Sequence, residues 1–512
     1  MCNNNNTKNE DTFGDIQYSI KLTTSLKDNI DIFKQIFIND DTVTYREFES
    51  NKNCLARFCI IYIDYMANNT ALNQHILRPI MNCDIINIKN NFADVLYKNV
   101  IESSKVKKTS DINEIVKSLI CGYTALLIDN CQEILIVDTI ALETRAIEEP
   151  SSEGVVVGPR EGFIESLKVN LSLIRRRVQN PNLKFKLKEL GTRTKTNICI
   201  CYIEGIAQEK ILQELYKRLN KIEIDGIIDS NYIEELITDS PFSFIRTINS
   251  TERPDVVVSR LLEGRIAIIC DGTPFVLTLP CIFLERFQAS EDYYNNYLFA
   301  SFNRLIRWTS FFLSTSTPAL YVALVNFHQE LIPTQLLISI SASRQGVAVP
   351  TLVEVLIMTL TFELLREAGT RIPKHIGQAV SIVGALILGD AAVNARFISA
   401  PIIIVTALTG ISGFLIPQFT GVITIRIIFL IMTSFLGLYG YIFALIAVFL
   451  YLTSLRSFGV PFMLNSGTGA INFQDLKDTS IRAPQIFMKR RPKLISSNLK
   501  RQNSIKEEKN KI

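Results

Sequence analysis

The sequence predicts an α/β cytoplasmic region made of two similar subdomains, followed by an all-α helical membrane domain. Three observations carry this. Up to about residue 300, short β-rich runs alternate with amphipathic helices, as in α/β proteins. That pattern occurs twice, with Tyr62 and Tyr202 standing 140 positions apart. From about 304 to 453, apolar stretches of about twenty residues take over, the length a helix needs to cross a hydrocarbon core.

The 512 residues suffice for two or three domains. Residues 1–28 read as a disordered, Asn-rich leader, 29–150 as the first α/β subdomain, and 151–290 as a linking helix plus the second. Residues 291–460 read as the membrane domain, with spans over 309–327, 376–395, 397–417 and 427–452, and 461–512 as a basic cytoplasmic tail. The net charge of +4 says little by itself. The 10 cysteines are scattered without a CxxC pair, and three histidines are too few to complete a zinc site, so no metal and no cofactor is expected. Buried free thiols in a reducing compartment are the expectation. The first residues, MCNNNNTKNEDTFG, are polar and do not read as a secretory signal.

In the first copy, Phe58–Asp64 leads into a helix through Ile80; in the second, Ile198–Glu204 leads into a helix through Ile222. Ile115–Asp129 parallels Val257–Asp271, and Gly122 and Gly264 are 142 apart, each placed where a helix ends. Asp271-Gly272-Thr273-Pro274 reads as a hairpin turn. Between the copies, Phe163, Ile164, Leu167, Leu171, Ile174 and Val178 keep helical spacing, and Arg175–Arg177 read as a solvated or subunit-facing cluster. No wider basic face or stacking aromatics accompany them, which argues against nucleic acid. Glu252, Arg253 and Asp255 lie in TERPD, the densest polar cluster of this half, and read as a helix start tied by a Glu–Arg pair.

Tyr293, Tyr294, Tyr297 and Trp308 fit an interfacial aromatic belt, and Arg304 and Arg307 flank the first span on the cytoplasmic side. Ser314 to Pro318 would weaken that span in lipid, so neighbouring helices are expected to cover it. Residues 349–367 read as an interfacial or re-entrant helix, because Glu354 and Glu363 face opposite ways. The stretch Ile376–Ala395 is rich in Gly and Ala and carries Asp390 and Asn394 one turn apart on one face. An acid at membrane depth is costly. Asp390 either ends the span at the water interface or faces water, a substrate or an ion path. The tail from Lys477 holds eleven Lys and Arg against three acids, which keeps it on the cytoplasmic side and makes the crossings even in number, four by this reading.

No enzyme signature is present: there is no Walker loop, GxSxG or HExxH. A solute transporter would show inverted repeats in the membrane half, and none is found.

The runs TERPD (251–255), LLEGR (261–265), DGTPF (271–275), EDYY (291–294), SIVGALILGDAAVNA (381–395) and SFGVPF (457–462) resemble the GerA-type spore germination receptors, in their A subunit. The helix Leu167–Val178 and the tail Lys477–Pro492 are similar too. The resemblance implies a multi-pass protein of the spore inner membrane in endospore-forming Firmicutes, with its N-terminal region and C-terminal tail cytoplasmic. It further implies a permease-like B subunit and a lipoprotein C subunit as partners, with nutrient bound by the B subunit. The A subunit of the family is thought to oligomerise into a nutrient-gated cation channel. Asp390 departs from the pattern, which more often has an uncharged polar residue there.

With that resemblance, Val380, Val383, Ile387, Asp390 and Asn394 are expected to line a water path in a homo-oligomer, with Val383 and Ile387 as an apolar constriction. Ordinary bundle core is the other reading of this stripe. The alternative function is a non-conducting scaffold that relays germinant binding from the B subunit to a separate channel.

Overall fold

A computed structural model describes residues 18, 20–49, 57–82, 92–103, 105–141, 150, 153–371, 389–416, 421–463, 478, 481–488, 490–492 and 494–501. The chain divides into two units: Met1–Thr238 with Ile248–Pro280 and Gln485–Ile512, and Asp239–Thr247 with Cys281–Pro484.

The first unit holds the two α/β subdomains. The first comprises α1 (Leu26–Ile36), β1 (Val43–Glu49), β2 (Arg57–Ile63), β3 (Val106–Thr109), α2 (Ile112–Ile120), β4 (Thr124–Ile128) and β5 (Ile134–Val137). The second comprises α3 (Leu167–Arg177), β6 (Leu183–Leu190), β7 (Thr196–Ile203), α4 (Glu209–Leu219), α5 (Ser230–Ile237), β8 (Asn249–Thr251), α6 (Pro254–Leu262), β9 (Ile266–Cys270) and β10 (Val276–Leu279). Their strand orders, β1-β2-β4-β5-β3 and β6-β7-β9-β10-β8, are the same permutation. Every pairing is antiparallel. Helices cover both faces of the first sheet: Cys59 and Ile61 pack with α1 and α2, whereas Phe58 and Ile60 pack with Leu72, Ile76 and Ile80. Strands buried on both faces read as unbroken apolar runs, which is why an antiparallel sheet resembles α/β in sequence.

The helix expected to link the two copies, α3, is the first element of the second copy and the counterpart of α1. Asp129 Oδ1 accepts the N–H of Leu26 at 3.3 Å, and Asp271 Oδ1 accepts that of Leu167 at 3.0 Å, so each helix start is capped from the turn after the fourth strand of its own sheet. Asn29 spans the N–H and carbonyl of Thr23, and Asn170 does the same for Ile164. The equivalence therefore reaches single hydrogen bonds. Helix α1 also starts inside the expected 1–28 leader, of which residues 1–17 and 19 lie outside the described set.

Arg175 is not solvated. It is buried at the junction of the two subdomains, with Nη2 2.5 Å from Asp40 Oδ2 and 3.1 Å from Thr42 Oγ1, and its guanidinium 4.5 Å from the Phe185 ring centre. The N–H of Asp41 donates to the Phe185 carbonyl at 2.9 Å. Arg176 and Arg177 share Glu161. A helix starts at Pro254, and Arg253 is held by Asp255.

The free thiols are buried as expected at Cys59, Cys199, Cys201, Cys270 and Cys281, while Cys121 and Cys131 are half-buried. Burial pushes Cys59 up to about 12 and raises Cys199 and Cys201 as well.

Two outcomes follow. Asp40→Ala leaves Arg175 buried without its acid and should cost about 3–5 kcal/mol, whereas Asp40→Ala with Arg175→Met should recover most of it, measured by thermal unfolding. Because the thiolate is the reactive form, Cys59, Cys199 and Cys201 should resist maleimide in the native protein and react once it is unfolded.

Candidate functional site

The second unit is helical: α7 (Tyr297–Asn326), α8 (Thr334–Arg344), α9 (Thr351–Arg371), α10 (Ala400–Phe414) and α11 (Val422–Ser454). Its functional interest lies in the charged groups it buries.

The first cluster surrounds the start of α7. Arg304 is 0% exposed and Asp292, in the turn before α7, is 1% exposed. Arg304 Nε donates to Asp292 Oδ2 at 2.9 Å, and Arg307 Nη1 donates to both oxygens of the same carboxylate at 2.9 and 2.8 Å. Arg304 Nη1 also reaches the carbonyl of Asp478 at 2.7 Å and its carboxylate at 3.2 Å. The hydroxyl of Tyr293 donates to Asp478, and the guanidiniums of Arg304 and Arg482 each stand 5.6 Å from the Tyr293 ring centre. Arg304 and Arg307, expected as flanking charges, are thus consumed internally. Tyr293 belongs to this network, and Trp308 stacks on Phe287 at 4.2 Å, which leaves Tyr294 and Tyr297 exposed.

The second cluster lies further along α7. Pro318 has no N–H for the carbonyl four residues back, that of Ser314. Arg426 of α11 fills the gap: its Nε donates to the Ser314 carbonyl at 2.8 Å, and Nη2 to Ser314 Oγ at 2.9 Å. Its Nη1 meets Glu363 Oε1 at 3.0 Å. Tyr441 donates to Ser316 Oγ at 2.9 Å. The expected cover over Ser314–Pro318 is therefore present. On α9, Glu354 accepts the N–H of Ser399, just before α10, at 2.9 Å. Neighbouring chain takes up Glu354 and Glu363, which explains how one helix carries these two acids on opposite faces. Arg426 was missed by sequence reasoning, although a lone Arg in an apolar run beside a proline-bearing helix was the available signal.

The last expected span, 427–452, is not one straight helix. Within the 33-residue stretch an 18-residue window has a mean hydropathy of 2.2, apolar and long enough to cross a membrane if continuous. Gly437, at φ 60 and ψ −136, breaks it. The rings of Phe429 and Tyr441 lie 5.3 Å apart, where twelve residues of continuous helix would separate them by about 18 Å. Tyr451, near one end, stacks on Phe244 at 4.9 Å, and a Cβ on Gly421, at the other end, would lie 3.5 Å from the Phe244 ring. The two arms fold back as a hairpin. A Cβ at Gly437 would lie 2.8 Å from Phe327 at the end of α7, so only glycine allows this turn.

Of the path residues expected from sequence, Val380, Val383 and Ile387 lie outside the described residues. Asp390 and Asn394 sit on a helical stretch over 389–394 and both are exposed, while Ala392 packs against the core of the unit. In the first unit, Glu252 is buried with its carbonyl accepting the Phe163 N–H at 2.7 Å, Arg253 and Asp255 form a two-bond pair at 2.8 and 3.1 Å, and Asp271 is the cap of α3. These positions support the fold and are not gathered into one site. Among the described residues, no group of three or more metal-ligating side chains occurs.

Arg426→Leu would leave the Ser314 carbonyl without its donor and Glu363 with Arg366 alone, and should cost about 3–5 kcal/mol in thermal unfolding. Phe429→Cys with Tyr441→Cys, in a background with the native cysteines replaced, should be joined by a short bifunctional thiol reagent; failure to join would mean that the helix runs straight.

The family described as Bacillus/Clostridium GerA spore germination protein matches residues 31–494. Spore germination protein KA of Bacillus subtilis (strain 168) is 42% identical over 480 residues, covering 93% of this chain and 88% of that one. Spore germination protein B1 of the same organism is 38% identical over 92% of this chain and 98% of its own length, and spore germination protein GerLA of Bacillus cereus is 35% identical over 86% and 90%. The crystal structure of the N-terminal domain of the A subunit of the Bacillus megaterium spore germinant receptor GerK3 matches with 32% identity and a TM-score of 0.42, covering 52% of this chain and 99% of that one. With a family match running nearly end to end and relatives above a third identical over most of their length, this chain belongs to the GerA spore germination protein family.

Proposed function

We propose that the protein is the A subunit of a nutrient receptor of endospores, and that several copies surround a water path through the spore inner membrane. Its partners are a permease-like B subunit, which binds the germinant, and a lipoprotein C subunit. Nutrient opens a cation path whose wall is the helix bearing Val380, Val383, Ile387, Asp390 and Asn394.

The observation that carries this reading is the outward placement of Asp390 and Asn394. Both polar groups point away from the protomer, one turn apart, while Ala392 packs inward. A carboxylate turned outward from a helix in an apolar unit is costly in lipid and is stable against water or a neighbouring copy. Three other charged groups of the unit behave differently: Glu354, Glu363 and Arg426 are taken up inside the protomer. That internal pairing favours the second reading, a non-conducting relay, for those residues alone.

Purified protein in liposomes should pass monovalent cations, and Val383→Ala or Ile387→Ala should raise the resting flux several-fold. Asp390→Asn should lower cation flux relative to anion flux. Silent liposomes, with normal ion retention in spores of both alanine variants, would favour the relay.

A further inference from the structure

The two α/β subdomains are closed in the same way by chain from different places. In the first, the segment after β5 turns back: Asn68 N–H donates to the Thr139 carbonyl at 2.7 Å, Ala141 N–H donates to the Met66 carbonyl at 2.9 Å, and Ala67 bridges Ile140. In the second, the residue equivalent to Met66 is Ile206, and its carbonyl accepts the N–H of Ser497 at 2.9 Å while Ala207 bridges Ser496. The matched glycines show the same geometry. A Cβ at Gly122 would lie 3.1 Å from the Met66 carbonyl oxygen and 3.6 Å from Ile140, and one at Gly264 would lie 3.0 Å from the Ile206 carbonyl oxygen and 3.1 Å from Ser496. Both have φ near +97, where a side chain is strained and where its absence lets the closing segment approach.

After β10, however, the chain does not turn back. It continues through Pro280 into the helical unit and reaches the closing position only at residue 496. The returning segment is anchored. Ile495 is fully buried, Arg491 Nε donates to the Leu262 carbonyl at the end of α6 at 2.7 Å, and Arg501 pairs with Glu263 at 3.1 Å. Cationic groups suit a helix C-terminus, and an unpaired buried carbonyl at Ile206 would be costly. Burial alone would raise Glu263, but Arg265, Arg260 and Arg501 hold it below the usual carboxylate range.

We infer that residues 490–492 and 494–501 close the second α/β repeat, and that the helical segment 281–484 is an insertion within that repeat. Because the insertion leaves from β10 and returns to the same folded repeat, its two ends lie on one side of the membrane and its crossings are even in number. A folded α/β layer with its polar backbone edges does not pass through lipid. The inference stands whether or not the helical unit conducts ions.

The test uses the full chain in membrane vesicles, with native cysteines replaced, a protease site at the Gly346 turn and a tag at each terminus. Ala207→Cys with Ser496→Cys stand at paired strand positions, a separation that suits a disulfide. Oxidation should join them within one chain, so that the two proteolytic fragments separate only after reduction. Ala67→Cys with Ser496→Cys should stay unjoined. Absence of the 207–496 bond, or a bond only between chains, overturns the closing role. Independently, the two tags should be cut by added protease in the same vesicle orientation; cleavage of one tag in each orientation overturns the even count.

Discussion

A guanidinium with no solvent exposure, that of Arg304, sets the terms for the start of the helical unit. Removing a cation from water costs several kcal/mol unless an anion and further acceptors replace the solvent. Arg304 finds Asp292 twelve residues before it and Asp478 174 residues after it. One buried charge thereby ties the first and last parts of the unit together. Asp292 also serves Arg307, and Asp478 also serves Tyr293, so the arrangement is a shared network and not a set of separate pairs.

The same rule governs the middle of the unit. Pro318 leaves a carbonyl exposed in α7, Arg426 answers it, and Glu363 answers Arg426. A proline that would weaken an isolated helix becomes the reason that three helices meet at one height. The turn at Gly437 then brings the second arm of α11 back alongside, where Tyr441 reaches Ser316. Polar groups inside an apolar bundle specify which neighbours fit, whereas its leucines and isoleucines specify little beyond burial.

The duplication was legible in the sequence because Tyr62 and Tyr202, and Gly122 and Gly264, sit at positions that repeat with the fold. The edge strands β1 and β6 were not, since VTYREFE and LKFKLKEL are interrupted by charges and make weak apolar runs. Helix α3 reads as a linker in the sequence because its ties to the second repeat are side-chain bonds from Asn170 and Asp271, which hydrophobic periodicity does not register. The matching starts Leu26-Lys27-Asp28-Asn29 and Leu167-Lys168-Val169-Asn170 held the signal. In the helical unit, a hydropathy window measures length but not direction, so the reversal at Gly437 passed as a single span. The triple arginine at 175–177 gave no sign of burial, because its partner Asp40 lies in the other repeat.

The closing segment of the second repeat also bears on how the protein is made. A ribosome adds roughly 5–20 residues each second, so the 200 or so residues that separate β10 from Ser496 take on the order of 10–40 s to emerge. Over that interval the first repeat is complete, whereas the second displays an unmet Ile206 carbonyl and an open seat for Ile495. Synthesis of the helical segment therefore precedes the final closure of the domain from which it departs, and the nascent chain carries an adhesive, half-finished edge for the whole of that time.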